Sequence, residues 1–209
     1  MMRSLKTRFW LILAFQTLLL LAIPAQAVYT HLTGRSIVLQ TAPVDPYNLF
    51  QGYSVTLNYD ISDARNLQKL PGWDAIAPQT PSQNSEPLNT NPFLPNRSSS
   101  QAFYVILQAP PDAATQPPKP WTAVAIAPTH PANLPPNQIA LRGVYRQGQI
   151  FYGLETYFIP EEQRDEINQQ IQQLQTETGS PPFVVEAKVG AGGKAIPFSF
   201  WLKQQRYQF

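Results

Sequence analysis

Apolar and polar positions along the chain organise themselves around residues 149–162, QIFYGLETYFIPEE. Ile150, Tyr152, Leu154 and Phe158 fall on one face of a period-two strand, and Phe151, Tyr157 and Ile159 on the other. Two apolar faces predict a central strand, covered on both sides. Residues 139–146, IALRGVYR, read as its hairpin partner across Gln147 and Gly148, with the glycine supplying the positive φ of a two-residue turn. That register sets Arg146 opposite Gln149, Arg142 opposite Gly153 and Ala140 opposite Glu155, so Arg142 and Glu155 become diagonal neighbours able to pair their charges. Pro160 stops the strand and fits the first turn of a helix. Glu161, Glu162, Asp165 and Glu166 match that helix's N-terminal dipole, Ile167, Ile171 and Leu174 recur at helical spacing, and Gly179 with Pro181 ends it, which predicts a helix over 161–176.

The remaining pattern is mostly strand. Residues 36–42 read as a strand. Tyr53, Val55, Leu57, Tyr59 and Ile61 alternate with Ser54, Thr56, Asn58 and Asp60, predicting a strand with one buried and one wet face. Residues 103–108, 121–127, 183–189 and 194–202 add further strands, the last two joined by the glycine-rich turn 190–193. Pro197 predicts an edge or a bulge. Residues 62–100 carry six prolines among Gln, Asn and Ser and read as a long loop whose start Trp73 pins to the domain. About eight strands in hairpins with one helix predict a mainly β (α+β) fold, an antiparallel domain shaped as a small barrel or a strongly curved sheet.

The N-terminus differs from all of this. Arg3, Lys6 and Arg8 precede an apolar run over 9–25 that is interrupted only by Gln16 and Thr17, and Ala25, Gln26 and Ala27 fit a small-x-small cleavage pattern. Residues 1–28 therefore predict either a cleaved signal or an uncleaved anchor, since 9–29 is about 20 residues and just long enough to span a bilayer. Positive charge ahead of the run holds the N-terminus in the cytoplasm and puts residues 29–209 outside it, on the periplasmic or lumenal side.

Composition narrows the chemistry. With no cysteine, disulfides, thiolate metal sites and cysteine nucleophiles are excluded. His31 and His130 are far apart, so no zinc site, and no cofactor, is expected. Removing Arg3, Lys6 and Arg8 from the 15 basic residues leaves 12 against 13 acidic ones, a balance of −1 that gives no argument for nucleic acid.

The run TGRSIVLQTAPVDPYNLFQGYSVTLNYDIS resembles the opening block of the GDYXXLXY domain family, and GQIFYGLETYFIPEE is similar to its second block. Gly52, Leu57 and Tyr59 fit the naming motif, whereas Tyr53 and Ser54 stand where the family has Asp and Tyr. Tyr152, Gly153, Glu155, Tyr157, Phe158, Pro160 and Glu161 keep the second block intact. The resemblance implies an N-terminal membrane segment followed by an extracytoplasmic domain, and brings no assigned activity with it.

Two function classes remain. One is a membrane-anchored domain acting through binding or assembly beside a membrane-protein partner, with Glu155, Arg142, Tyr157 and Glu161 as candidate binding residues. The other is an extracytoplasmic hydrolase, either signal-peptidase-like, with Ser36 and Lys188 or Lys194, or using Glu155 and Glu161 as a carboxylate pair. A structural ion pair between Glu155 and Arg142 on a packed face would weigh against the enzyme reading.

Overall fold

The computed structural model describes residues 2–42, 50–51, 54–76, 101–112, 115–146, 149–158 and 183–208. A long helix, α1 (Met2–Thr33), comes first. Pro24 lies inside it, removing a backbone donor and crowding the preceding turn, and the axis bends by 43° between Arg8–Ala22 and Pro24–Thr33. Phe9, Trp10, Leu18 and Leu20 are exposed along its apolar length.

One residue, Gly34, separates α1 from the first strand. β1 (Arg35–Gln40) pairs with β9 (Phe183–Val189), which pairs with β10 (Ala195–Leu202), which pairs with β11 (Gln205–Gln208). A second antiparallel sheet has the order β5 (Thr122–Ala127), β4 (Gln101–Gln108), β6 (Gln138–Arg146), β7 (Gln149–Phe151). A small third sheet joins β2 (Phe50–Gln51), β3 (Ser54–Thr56) and β8 (Thr156–Phe158). The fold is strand-rich and antiparallel, and the described strands form no closed barrel.

Alternation explains the core. Ile37 and Leu39 in β1, Val185 and Ala187 in β9, and Phe200 and Leu202 in β10 turn inward, where they meet Phe103, Val105 and Leu107 of β4 and Leu141 of β6. Burying side chains of this size stabilises the fold by about 1.5–3 kcal/mol each before entropy is counted.

The predicted register between residues 139–146 and 149–159 holds only at its start. Arg146 does lie opposite Gln149, and the pairing continues to Val144 opposite Phe151. There the strand ends, and the chain resumes as β8 in the other sheet. The expected single central strand is thus two short ones, and β7 is an edge. Gly153, at φ 77°, turns the chain. Arg142 consequently lies opposite Tyr104 of β4 rather than Gly153, and its N–H donates to Gly193 O at 2.8 Å.

Two further expectations change, and a third is narrowed to one of its alternatives. Of the described residues in the predicted 53–61 strand, 54–56 form β3 and Tyr59 adds an isolated bridge to Thr41, while Leu57, Tyr59 and Ile61 are buried and Asn58 and Asp60 exposed, as alternation requires. The chain then closes into a 3-10 turn at Asp60–Ser62 and a short helix, α2 (Ala64–Leu67). Residues 62–76 are packed rather than looped, with Leu67, Trp73 and Ile76 buried, and Trp73 meets Tyr145 edge-on at 6.1 Å. β10 is an interior strand with a register shift between Pro197 and Ser199, so the bulge is the reading that holds. The predicted helix 161–176 lies outside the described residues, as does the loop over 77–100.

Candidate functional site

The two segments that carry the sequence motifs meet in space. Leu57 N–H donates to Glu155 O at 2.8 Å, extending the β3–β8 pairing by one rung. Tyr59 donates its hydroxyl to Leu154 O at 2.6 Å, and Tyr152 donates its hydroxyl to Ile61 O at 2.6 Å. Each segment's tyrosine therefore satisfies a carbonyl of the other. Both rings are buried, so each hydroxyl needs such a partner. Burial, and then the nearby Glu155 charge, holds the Tyr152 phenol well above its usual pKa, which keeps it a neutral donor.

Glu155 completes the turn. Its carboxylate accepts from Tyr152 N–H and, at 2.9 Å, from Gly153 N–H, so it closes the break in the strand with two charge-assisted bonds. No Arg142–Glu155 ion pair forms among the described residues, because the strand break carries Glu155 away from β6. The cost of a charge in mid-strand is met by local N–H groups instead of by a counter-ion.

Beside this seam lies a hollow of about 330 Å³ lined by Asn58, Ser62, Asp63, Arg65, Gln149 and Glu155, among others. Asp63 caps α2 by accepting from Arg65 N–H at 2.9 Å and pairs with the Arg65 guanidinium at 2.7 Å. Those bonds hold its carboxyl below the usual range. Ser62 Oγ is buried without a hydrogen-bond partner among the described residues. No local sequence signal marked Ser62, because the packed turn that buries it read as loop.

The other candidates scatter. Tyr157 stands opposite Val55 in the small sheet, and its side chain is outside the described set. Gly52, Pro160 and Glu161 lie outside the described residues, so no separation between Glu155 and Glu161 is defined. Ser36 and Lys188 are direct cross-strand partners, a closeness that the sequence did not disclose. The Lys188 ammonium, however, lies 5.4 Å from the Phe198 ring centre, and no hydrogen bond joins it to Ser36 among the described residues. Lys194 is exposed at the end of the 190–193 turn. His31 packs on Phe198 and His130 on Tyr104, and no group of metal-binding side chains forms among the described residues.

A different polar cluster, which sequence reasoning missed, occupies the outer face of the first sheet. Glu186 accepts from Ser199 Oγ and from Trp201 Nε1, each at 2.7 Å, and pairs with Arg206 at 2.5 Å. Arg206 also donates to Ser199 Oγ at 3.0 Å. Burial alone would raise the Glu186 carboxyl, and these donors together outweigh it and hold the group below its usual value. Ser199 is fully buried with both roles of its hydroxyl used, so the cluster is a tie between strands.

A family model described as GDYXXLXY protein matches residues 16–200, which includes the second half of α1, both motif segments and nearly all of β10. No curated protein and no solved structure matches the chain. The matched span covers most of the sequence, and the chain belongs to the GDYXXLXY family.

Proposed function

We propose that the protein is a membrane-anchored domain whose body stands outside the cytoplasm and works by binding or assembly. The observation that carries this reading is α1. Its apolar side chains are exposed to the surroundings over several turns, and its last turn is seated on the domain. Among the described residues no single helix is long and apolar enough to cross a membrane, but the bent pair Arg8–Ala22 and Pro24–Thr33 meets the length and composition together. Arg3, Lys6 and Arg8 precede the apolar side chains of this pair and only Arg35 closely follows it, which favours a cytoplasmic N-terminus. Helix continues past Ala27 to Thr33, which favours a retained anchor over a cleaved signal.

The binding reading rests on the seam. Its motif tyrosines and Glu155 are committed to holding two segments together, and the polar hollow beside them offers Ser62, Asn58 and Gln149 to a small polar group of a partner. Residues 29–209 form the extracytoplasmic body in this account.

Expressing the chain in bacteria and separating membranes by alkaline wash tests it. A full-length mass in the washed membrane, with the C-terminal body digested by protease added to spheroplasts, is the expected result. A soluble chain beginning at Val28, or a body digested only after cell lysis, overturns the anchor or its orientation. Crosslinking from the same membranes then identifies what the body binds.

A further inference from the structure

The base of α1 is held by the domain at a height fixed by the helix itself. Gly190 approaches Thr30 so closely that an added Cβ would lie 3.0 Å from Thr30 Oγ1. The His31 ring packs on Phe198 at 5.3 Å, and Gly34 N–H closes the helix on Thr30 O at 2.8 Å. These contacts fall on the residues that immediately follow the apolar run ending at Tyr29. If that run fills the hydrocarbon layer, the 190–193 turn and Phe198 lie in the headgroup layer, roughly 5–7 Å thick on each side.

Among the described residues the chemistry of that end of the domain is one-sided. Residues 30–35, 130–140 and 188–198, which supply the contacts and the groove at the helix base, contain no Asp or Glu, yet they hold Arg35, Lys188 and Lys194. Arg35 is exposed and donates to Gln138 O and Pro136 O at 2.9 and 2.7 Å, which fixes its position without neutralising it. Lys188 lies against Phe198, and Lys194 is exposed beside the turn. Among the described residues no carboxylate pairs with Arg35, Lys188 or Lys194, and the nearest in sequence, Glu186, is occupied by Arg206, Ser199 and Trp201. A groove of about 400 Å³ between Tyr29, Arg35, His130 and Pro135 opens at the same level.

We infer that this end of the domain is a basic collar that rests on the acidic phospholipid headgroups of the bilayer α1 enters, with Arg35, Lys188 and Lys194 as the contacting cations. The inference depends on the anchor reading above. Its role is to hold the body flat against the membrane rather than free on a stalk, because a short helix–strand junction and several headgroup contacts together fix the tilt.

The full-length chain tests it directly. It has no cysteine, so Ala191→Cys gives a single site for a nitroxide in the exposed turn. The labelled chain is reconstituted in vesicles of phosphatidylcholine, with or without phosphatidylglycerol, and its collisions with a headgroup-anchored nickel chelate are compared. With phosphatidylglycerol at low salt the label should collide strongly. Raised salt should release it, because exposed charges are screened over about 10 Å at 0.1 M. Each of Arg35→Gln, Lys188→Gln and Lys194→Gln should lower the docked-to-free ratio roughly fivefold, and the three together roughly a hundredfold. Inorganic phosphate at matched ionic strength should not compete; displacement by it would mean a free-phosphate site and overturn the lipid assignment. Equal collision in both lipid mixtures overturns the collar while leaving the anchor standing. A chain that does not float with either vesicle overturns both.

Discussion

Glu155 shows how a charge can look functional in a pattern and be structural in the fold. Its two carboxylate oxygens face the N–H groups of Tyr152 and Gly153, which have no ladder partner where the strand breaks. An unpaired N–H in a half-buried turn costs about 1–3 kcal/mol. Glu155→Ala strips both bonds and should lower the unfolding free energy by about 1–3 kcal/mol, measured by urea denaturation. Glu155→Gln keeps one amide oxygen as acceptor and should recover part of that loss. A Glu155→Ala chain with unchanged stability that no longer captures its crosslinked partner would instead make the carboxylate a contact residue. The same residue explains a failure of sequence reading. In the turn, Tyr152 and Leu154 are buried and Gly153 is exposed, so the alternation of a strand persists where the strand itself does not. Period-two burial identifies which side chains point inward, not whether the backbone is in a ladder. Neither Glu155 nor Arg142 signals that they belong to different partners, because that depends on where the chain turns.

At the level of elements, strands with a compact apolar run were legible and those with few or irregularly spaced apolar residues were not. The 103–108 and 183–189 segments appear as β4 and β9 almost as drawn, since both are apolar enough to force a face inward. β11 escaped because Tyr207 is its one buried apolar residue and its turn contains no glycine; Lys203 adopts φ 53° in its place. The packed segment 62–76 escaped because Leu67, Trp73 and Ile76 are irregularly spaced. β11 is nevertheless held firmly, through Arg206 on Glu186, and that tie has a pH signature. The folded Glu186 carboxyl titrates below its unfolded value, so its contribution is present above about pH 4.5 and is lost as pH falls through the folded pKa. Each unit of depression corresponds to about 1.4 kcal/mol. Asp60, exposed but partly desolvated, has the opposite sign: its pKa is raised, so its contribution is present at low pH and is lost as pH rises through the folded value. Comparing wild type with Glu186→Gln cancels Asp60. Between pH 7 and pH 3 the wild type should lose more stability to urea than the variant, and parallel curves would mean that the network does not depend on the Glu186 charge.

For the whole molecule, the decisive joint is the one between helix and body. Gly34 alone separates α1 from β1, and the last helical turn is seated against Gly190, where an added Cβ would lie 3.0 Å from Thr30 Oγ1 and Thr30 would have to give way. The contact couples the orientation of the sheets to that of the helix, so in the proposed binding role a partner would be held at a set distance and angle from the apolar segment. Gly190→Val should unseat the helix without unfolding the body, because the obstruction falls on Thr30 at the edge of the core rather than within it. Spin labels at Leu32→Cys and Gln208→Cys, both exposed positions, report the outcome as a distance distribution. In the parent chain one narrow distance is expected. In Gly190→Val the distribution should broaden while the urea midpoint moves by less than about 1 kcal/mol equivalent. If the distribution stays narrow, Thr30 is not what fixes the helix, and orientation must come from the Gly34 junction alone. If the parent is already broad, the body swings freely on its helix, and a fixed presentation of the seam to a partner is lost with it.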